Sequence, residues 1–107
     1  MKKLVVMMVI LSLTLFSAVA LAGKVGSDCT YKGKKLYGKI KFVKSFPDIK
    51  VKVVSSFPDL KVKKVSSFPD KCGKWKIVDS FPDLKVQIVD SFPDIKIKYV
   101  SSFPGVP

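Results

Sequence analysis

The sequence predicts an all-β domain assembled from eleven-residue strand-turn repeats. Three observations support this fold class: a recurring Phe-Pro dipeptide, alternation of apolar and polar residues that is strict at 49–53, 84–88 and 95–99, and an aspartate or glycine directly after every copy of the dipeptide. Alternation with a period of two, in β-branched residues, is typical of a strand with one buried and one solvated face. A helix, with its period of 3.6 residues, cannot place such residues on one side.

The Phe-Pro dipeptide defines the length of the repeat. It starts at six positions, at intervals of 11, 11, 13, 11 and 11 residues: Phe46, Phe57, Phe68, Phe81, Phe92 and Phe103. A fixed period is the signature of a repeat architecture. Successive short strands joined by tight turns also suit a short β-solenoid, which is the alternative fold.

The segment around each Phe-Pro dipeptide is predicted to be a type I turn. Proline fixes φ at the second turn position, and the aspartate that follows accepts hydrogen bonds from nearby backbone N–H groups. The phenylalanines themselves are predicted to pack in the core, where large apolar side chains usually lie.

Lysines occupy the polar positions of the predicted strands, so they are expected to align as positive rows on neighbouring strands. Such rows usually form a solvated face of a sheet. The functional alternative is an adhesive surface for anionic polymers or lipids. The candidate contacts are Lys50, Lys52, Lys61, Lys63, Lys85, Lys96 and Lys98.

The N-terminus predicts export from a bacterial cell. Two lysines precede an apolar run over residues 4–22 that ends in Ala-Leu-Ala, the arrangement of a secretory signal peptide. We therefore divide the chain into a signal peptide at 1–22, an N-terminal segment at 23–38 and a β-repeat domain at 39–107, placed in the periplasm or outside the cell. An uncleaved membrane anchor is the alternative, because the run is long enough to span a bilayer.

Two cysteines, Cys29 and Cys72, remain after removal of the signal peptide. In an oxidising compartment an isolated pair predicts one disulfide, and a small domain with a limited core needs such a staple. Two reduced cysteines are the alternative.

The only tryptophan, Trp75, lies three residues after Cys72. It is expected to pack against the disulfide. An exposed stacking platform with Tyr31, Tyr37 and Tyr99 is the alternative.

The charge of the exported part restricts its partners. Residues 23–107 contain 18 lysines and 8 aspartates, a formal charge of +10. An exported chain of this charge is not expected to meet nucleic acid. Its expected partners are anionic envelope components, namely lipids, lipopolysaccharide or cell-wall polymers, or another envelope protein, and the chain itself is expected to be a monomer.

Catalytic chemistry has little support in this composition. The chain contains no histidine, arginine or glutamate, which excludes histidine-based triads and zinc sites with histidine ligands. Two carboxylate pairs, Asp79 with Asp83 and Asp90 with Asp94, have the residue type for glycoside hydrolysis or a hard cation. Because Asp83 and Asp94 belong to the repeated turn, we expect these carboxylates to have a structural role. The chain is expected to be an exported structural or interaction module with no enzyme activity, no cofactor and no metal site. The alternative is a cationic, antimicrobial-like binder of anionic envelope lipids or cell-wall polymers.

The stretch from Ile40 to Val100 resembles the bacterial septoil-knot domain family. The resemblance is carried by the Val-x-Ser-Phe-Pro-Asp units, by Ile-Val-Asp-Ser at 77–80 and 88–91, and by the Cys-Gly-x-Trp break at 72–75. It implies a deeply knotted chain with seven crossings, in which strands from both halves interleave. It implies no activity and no functional residues. Four units depart from the family's Val-Asp-Ser motif, at Lys44, Ser55, Ser66 and Ser101.

Overall fold

The computed structural model describes residues 24–107, so the predicted signal peptide at 1–22 lies outside the described residues. The regular structure of the described part consists of strands, which confirms the all-β prediction. The eight strands are β1 Thr30–Tyr31, β2 Lys34–Lys35, β3 Gly38–Phe42, β4 Ile49–Val53, β5 Leu60–Lys64, β6 Lys74–Ile77, β7 Leu84–Ile88 and β8 Ile95–Tyr99.

Six of the strands form a closed barrel. The order around the barrel is β3-β6-β5-β8-β4-β7, and every neighbouring pair is parallel. The two short strands β1 and β2 form a separate antiparallel hairpin. The solenoid alternative is wrong, because the sheet closes on itself instead of stacking open turns.

The two halves of the chain alternate around this barrel. Strands β3, β4 and β5 come from residues 38–64, and β6, β7 and β8 come from residues 74–99. Every strand of one half hydrogen-bonds on both edges to strands of the other half. Within each half, strands that are consecutive in the sequence are therefore separated in the barrel by a strand of the other half.

Segments that follow the barrel strands pass over the outside of a strand from the other half. After β3, Val43 N–H donates to the Val86 carbonyl, and Asp48 N–H then donates to the Lys85 carbonyl. Adjacent carbonyls of a strand point to opposite edges, so the loop at 43–48 has crossed β7. The same paired bonds carry four further loops across a strand: 54–59 over β8, 78–83 over β3, 89–94 over β4 and 100–105 over β5.

The loop after β5 begins in the same way, with Val65 N–H donating to the Trp75 carbonyl of β6. Asp70 N–H makes no equivalent second bond within residues 24–107, so this loop shares only the first bond with the other five. We call the five loops and the segment that begins at Val65 the crossing loops, and the residue whose carbonyl accepts the first bond the crossing residue. The crossing residues are Ile40, Val51, Val62, Trp75, Val86 and Ile97.

The crossing residues lie at one level of the barrel. Ile40 pairs with Leu84, and the crossing residue of that strand, Val86, lies two residues further along. On each of the next three strands, the register partner of the preceding crossing residue again lies two positions before that strand's own crossing residue. These are Ile49 before Val51, Ile95 before Ile97, and Leu60 before Val62.

The advance continues until the circuit is closed. On β6, the crossing residue Trp75 pairs with Lys64, which lies two residues after Val62. On its other edge Trp75 pairs with Gly38, which lies two residues before Ile40, the residue where the circuit began. A line that returns to its starting residue after one circuit of a staggered barrel runs perpendicular to the barrel axis. The six crossings therefore form a ring around the middle of the barrel.

The core follows the same ring. All six crossing residues have 0% exposed surface, and the inward residues two positions earlier form a second buried layer that includes Ile49, Leu60, Leu84 and Ile95. Leu36 closes the end of the barrel at which the strands begin. Its carbonyl accepts a hydrogen bond of 3.0 Å from the Trp75 indole N–H. Trp75 is fully buried, so its use in an exposed platform is wrong. It belongs to the same buried cluster as Cys29, and its packing against the disulfide stays a prediction.

The predicted disulfide is also confirmed. Cys29 and Cys72 are bonded across a sequence separation of 43 residues, which ties the N-terminal segment to the connection between the two halves. Gly73 follows it with φ of 79°, and a Cβ atom there would lie 2.3 Å from the Lys61 carbonyl oxygen, so only glycine fits. No helix within residues 24–107 has the length and apolar character to cross a bilayer.

Candidate binding surface

The six repeated phenylalanines lie on the outside of the barrel. Their side chains are between 79% and 93% exposed, so the prediction that they pack in the core is wrong. The physical reason is the crossing. Each phenylalanine occupies the fourth position of a loop that passes outside a strand, and the interior behind that strand is already filled by the crossing residues.

The backbone at these phenylalanines is unusual. Their φ angles lie between 52° and 55°, in the left-handed region that glycine and asparagine adopt most readily. A bulky side chain there costs roughly 1–2 kcal/mol of backbone strain. Neither burial nor backbone preference therefore explains phenylalanine at this position, and the same choice is repeated six times.

Two rings of outward-facing residues border the crossings. The first ring precedes the crossing residues by one position and is entirely lysine: Lys39, Lys50, Lys61, Lys74, Lys85 and Lys96. The second ring follows them by one position and is lysine at five of six positions: Lys41, Lys52, Lys63, Lys76, Gln87 and Lys98. None of these twelve side chains is buried.

All seven lysines predicted from the strand pattern fall in these rings. Four belong to the first ring and three to the second. The prediction missed Lys39, Lys41, Lys74 and Lys76, although Gly38–Phe42 and Lys74–Ile77 show the same alternation. That alternation was the signal that could have found them.

The strand register places lysine directly beside lysine. The five pairs are Lys39 with Lys76, Lys41 with Lys85, Lys52 with Lys96, Lys61 with Lys98, and Lys63 with Lys74. Like charges in opposed positions destabilise a sheet by several tenths of a kcal/mol. The outer face of the barrel thus keeps an unfavourable arrangement of charge that a bound polyanion would relieve. We call the two rings and the six exposed phenylalanines the belt.

The aspartates of the repeat are engaged with the backbone of the other half. Four carboxylates each accept a hydrogen bond of 2.7–2.9 Å from the backbone N–H of a lysine: Asp48 from Lys85, Asp59 from Lys96, Asp83 from Lys39 and Asp94 from Lys50. For these four aspartates the prediction of local turn bonds is wrong, since the partners lie 37 or 44 residues away.

The predicted carboxylate pairs each include one of these structural acceptors. Asp83 and Asp94 bind backbone N–H groups, and their companions Asp79 and Asp90 are exposed. Within residues 24–107, no three acidic or cysteine side chains are grouped so that they could hold a metal ion.

The tyrosines do not form a common platform with Trp75. Tyr31, Tyr37 and Tyr99 are half-buried, and a lysine ammonium lies over each ring, at 5.5, 4.8 and 4.5 Å from the centroid. Burial raises the pKa of Tyr99 above its ordinary value of 10.0.

Comparison with known proteins identifies a family for the part of the chain that contains the barrel. No curated protein matches this sequence. The family model of the 7(1) septoil knot domain matches residues 33–107, a range that includes all six barrel strands and all six crossing loops. This protein belongs to the 7(1) septoil knot domain family.

Proposed function

We propose that this protein is an exported interaction module, without a catalytic site, that binds an anionic polymer of the bacterial envelope through the belt. The single observation that carries the proposal is the combination of eleven outward lysines with six exposed phenylalanines at strained backbone positions. Exposed aromatic side chains surrounded by charge are typical of binding surfaces, because they add apolar contact to electrostatic attraction.

The shape of the belt favours a polymer as its ligand. The crossings run around the whole barrel, so a flat surface reaches only one side of the belt at a time. A flexible chain can follow the ring and neutralise several lysine pairs together. Multiple contacts of this kind raise the apparent affinity without requiring any single strong contact.

Export is part of the same proposal. The signal peptide at 1–22 would deliver the chain to the periplasm or the outside of the cell, where the disulfide between Cys29 and Cys72 is stable. The formal charge of +10 on residues 23–107 keeps copies apart and favours a monomer. In that compartment wall polymers and lipopolysaccharide supply negative charge, and nucleic acid is not the expected partner.

Co-sedimentation of the exported protein with purified cell-wall fragments tests the proposal. Fragments that carry their anionic polymers should bind the protein at low salt, and fragments stripped of those polymers should not. Binding should weaken steeply once the salt concentration passes the physiological range, because charge interactions are then screened. Failure to bind at low salt would exclude the proposed function.

A pair of variants with equal charge separates the belt from net charge. Lys50→Gln, Lys61→Gln and Lys85→Gln remove three charges from the belt. The matched control changes Lys24, Lys32 and Lys71, three exposed lysines outside it, to glutamine. We expect the belt variant to bind about tenfold more weakly than the control, which corresponds to about 1.4 kcal/mol. Equal losses would show that net charge alone directs binding.

We also propose that the chain is threaded as the seven-crossing torus knot of its family. Support comes from the alternation of the two halves and from the loops that pass over strands of the other half. After reduction of the disulfide, stretching the chain by its two ends should leave it shorter than its full extended length, because a knot tightens without opening. Extension to the full length would exclude the knot.

A further inference from the structure

One end of the barrel is apolar and open. The last residues of the six barrel strands lie two positions after the crossing residues, in phase with the buried layers. By the same two-residue stagger they form a ring at the carboxyl end of the strands. Five of its six members are apolar or aromatic: Phe42, Val53, Ile77, Ile88 and Tyr99, with Lys64 as the sixth.

This ring is only partly covered. Val53, Ile77 and Ile88 are 41%, 42% and 44% exposed, although they face the barrel axis. Phe42 lies above the buried Trp75, with 6.3 Å between ring centroids. The opposite end of the barrel is closed by Leu36, which is fully buried. We call the ring of strand-terminal residues the open end.

Positive charge surrounds the open end. The second lysine ring precedes it by one residue on every strand and lies on the outer surface, which gives the apolar centre a cationic rim. Lys64 adds an ammonium group 4.5 Å from the centroid of the Tyr99 ring. An open cleft lies beside this pair and is lined by Lys63, Lys64, Tyr99, Val100 and Ser101.

We infer that the open end docks on an anionic lipid bilayer, with Val53, Ile77 and Ile88 entering the boundary between headgroups and acyl chains. An apolar centre with a lysine rim matches a surface that offers acyl chains beneath negative headgroups. A second copy of this chain is a poor occupant, because two cationic rims would face each other. A purely polar polyanion would leave the apolar centre uncovered.

The apolar centre of the open end is separate from the belt, whereas its cationic rim is the second lysine ring of the belt. The apolar residues belong to no crossing loop and contribute no outward side chain to the two rings. If both proposals hold, a wall polymer and a bilayer share the lysines of the second ring, and only the bilayer uses the apolar centre.

Vesicle binding with two matched triple variants tests the inference. The first variant, Val53→Ser, Ile77→Ser and Ile88→Ser, removes the apolar centre and keeps every charge. The control, Phe46→Ser, Phe57→Ser and Phe92→Ser, removes three exposed aromatic rings from the belt. Both are compared with the unchanged exported protein on vesicles of phosphatidylglycerol mixed with phosphatidylcholine, and on vesicles of phosphatidylcholine alone.

We expect the open-end variant to bind the anionic vesicles at least about tenfold more weakly than the control, because each lost apolar group reduces the favourable transfer from water. Binding of anionic wall fragments should change little in this variant, which separates the two proposals. Equal vesicle binding by both variants would overturn the inference. Equally strong binding to phosphatidylcholine alone would overturn the role of the lysine rim.

A fluorescent reporter tests the orientation without weakening the apolar centre. Ile88→Trp places an indole at the open end, and Phe92→Trp places one on the belt. Anionic vesicles with brominated acyl chains should quench the first reporter and leave the second close to the signal of Trp75, which is buried in both. Stronger quenching of the belt reporter would show that the protein lies on its side, and would overturn end-on docking.

Discussion

Asp83 and Lys39 hold the two halves of the chain together through a reciprocal pair of hydrogen bonds. Asp83 N–H donates to the Lys39 carbonyl at 2.8 Å, and Lys39 N–H donates to the Asp83 carboxylate at 2.9 Å. Three equivalent pairs repeat this contact around the barrel: Asp48 with Lys85, Asp59 with Lys96, and Asp94 with Lys50. In the last repeat Gly105 stands at the aspartate position and exchanges two backbone bonds with Lys61.

Replacing Asp83 by alanine should destabilise the fold by about 1.5–3 kcal/mol, the usual contribution of a hydrogen bond to a charged group. The Lys39 N–H would lose its acceptor at the point where a loop crosses a strand. The measurement is the free energy of unfolding by denaturant, with the disulfide intact.

Asp79→Ala is the matched control for that change. Asp79 is exposed and four residues before Asp83, so its replacement should alter the unfolding free energy by less than about 0.5 kcal/mol. Similar losses in the two variants would mean that charge, and not the bond to Lys39, stabilises the crossing.

Phe92→Asn should leave the fold at least as stable as before, because it relieves part of a backbone strain of roughly 1–2 kcal/mol. The ring is 93% exposed, and asparagine accepts the positive φ of 54° more readily than phenylalanine does. Trp75→Ala, in contrast, should cost roughly 3–5 kcal/mol, because Trp75 is fully buried. Thermal and denaturant unfolding of both variants measure the difference. A loss above about 2 kcal/mol for Phe92→Asn would show that the ring is needed for folding, and the belt would lose its main support.

Lys52→Gln should stabilise the barrel by a few tenths of a kcal/mol at low ionic strength, because Lys52 faces Lys96 across the strand pair. The gain should disappear at high salt, where the repulsion is screened. Lys50→Gln is the control, since Lys50 faces Gln87 and no opposed charge is relieved. The unfolding free energy at low and at high salt measures both. Identical gains in the two variants would point to the overall charge instead of to opposed pairs.

The sequence predicted the strands, the outward lysines and the disulfide because each depends on local alternation or on a simple count of residues. It misplaced the phenylalanines and the aspartate bonds for a common reason. Both depend on which strand a loop crosses, and that strand lies 37 or 44 residues away in the chain. Hydrophobicity places Phe46 or Phe92 in a core, and only the threading of the two halves turns these side chains outward.

Removing the disulfide by Cys29→Ala and Cys72→Ala should lower the unfolding free energy by about 4 kcal/mol. The closed loop spans a separation of 43 residues, and opening it restores conformational freedom to the unfolded chain. The unchanged protein in a reducing agent serves as the control and should lose a similar amount. The barrel strands should remain formed, because Cys29 lies before β3 and the six strand pairs lie after it. Far-ultraviolet circular dichroism checks this, and loss of the strand signal at low temperature would show that the N-terminal segment is required to close the barrel.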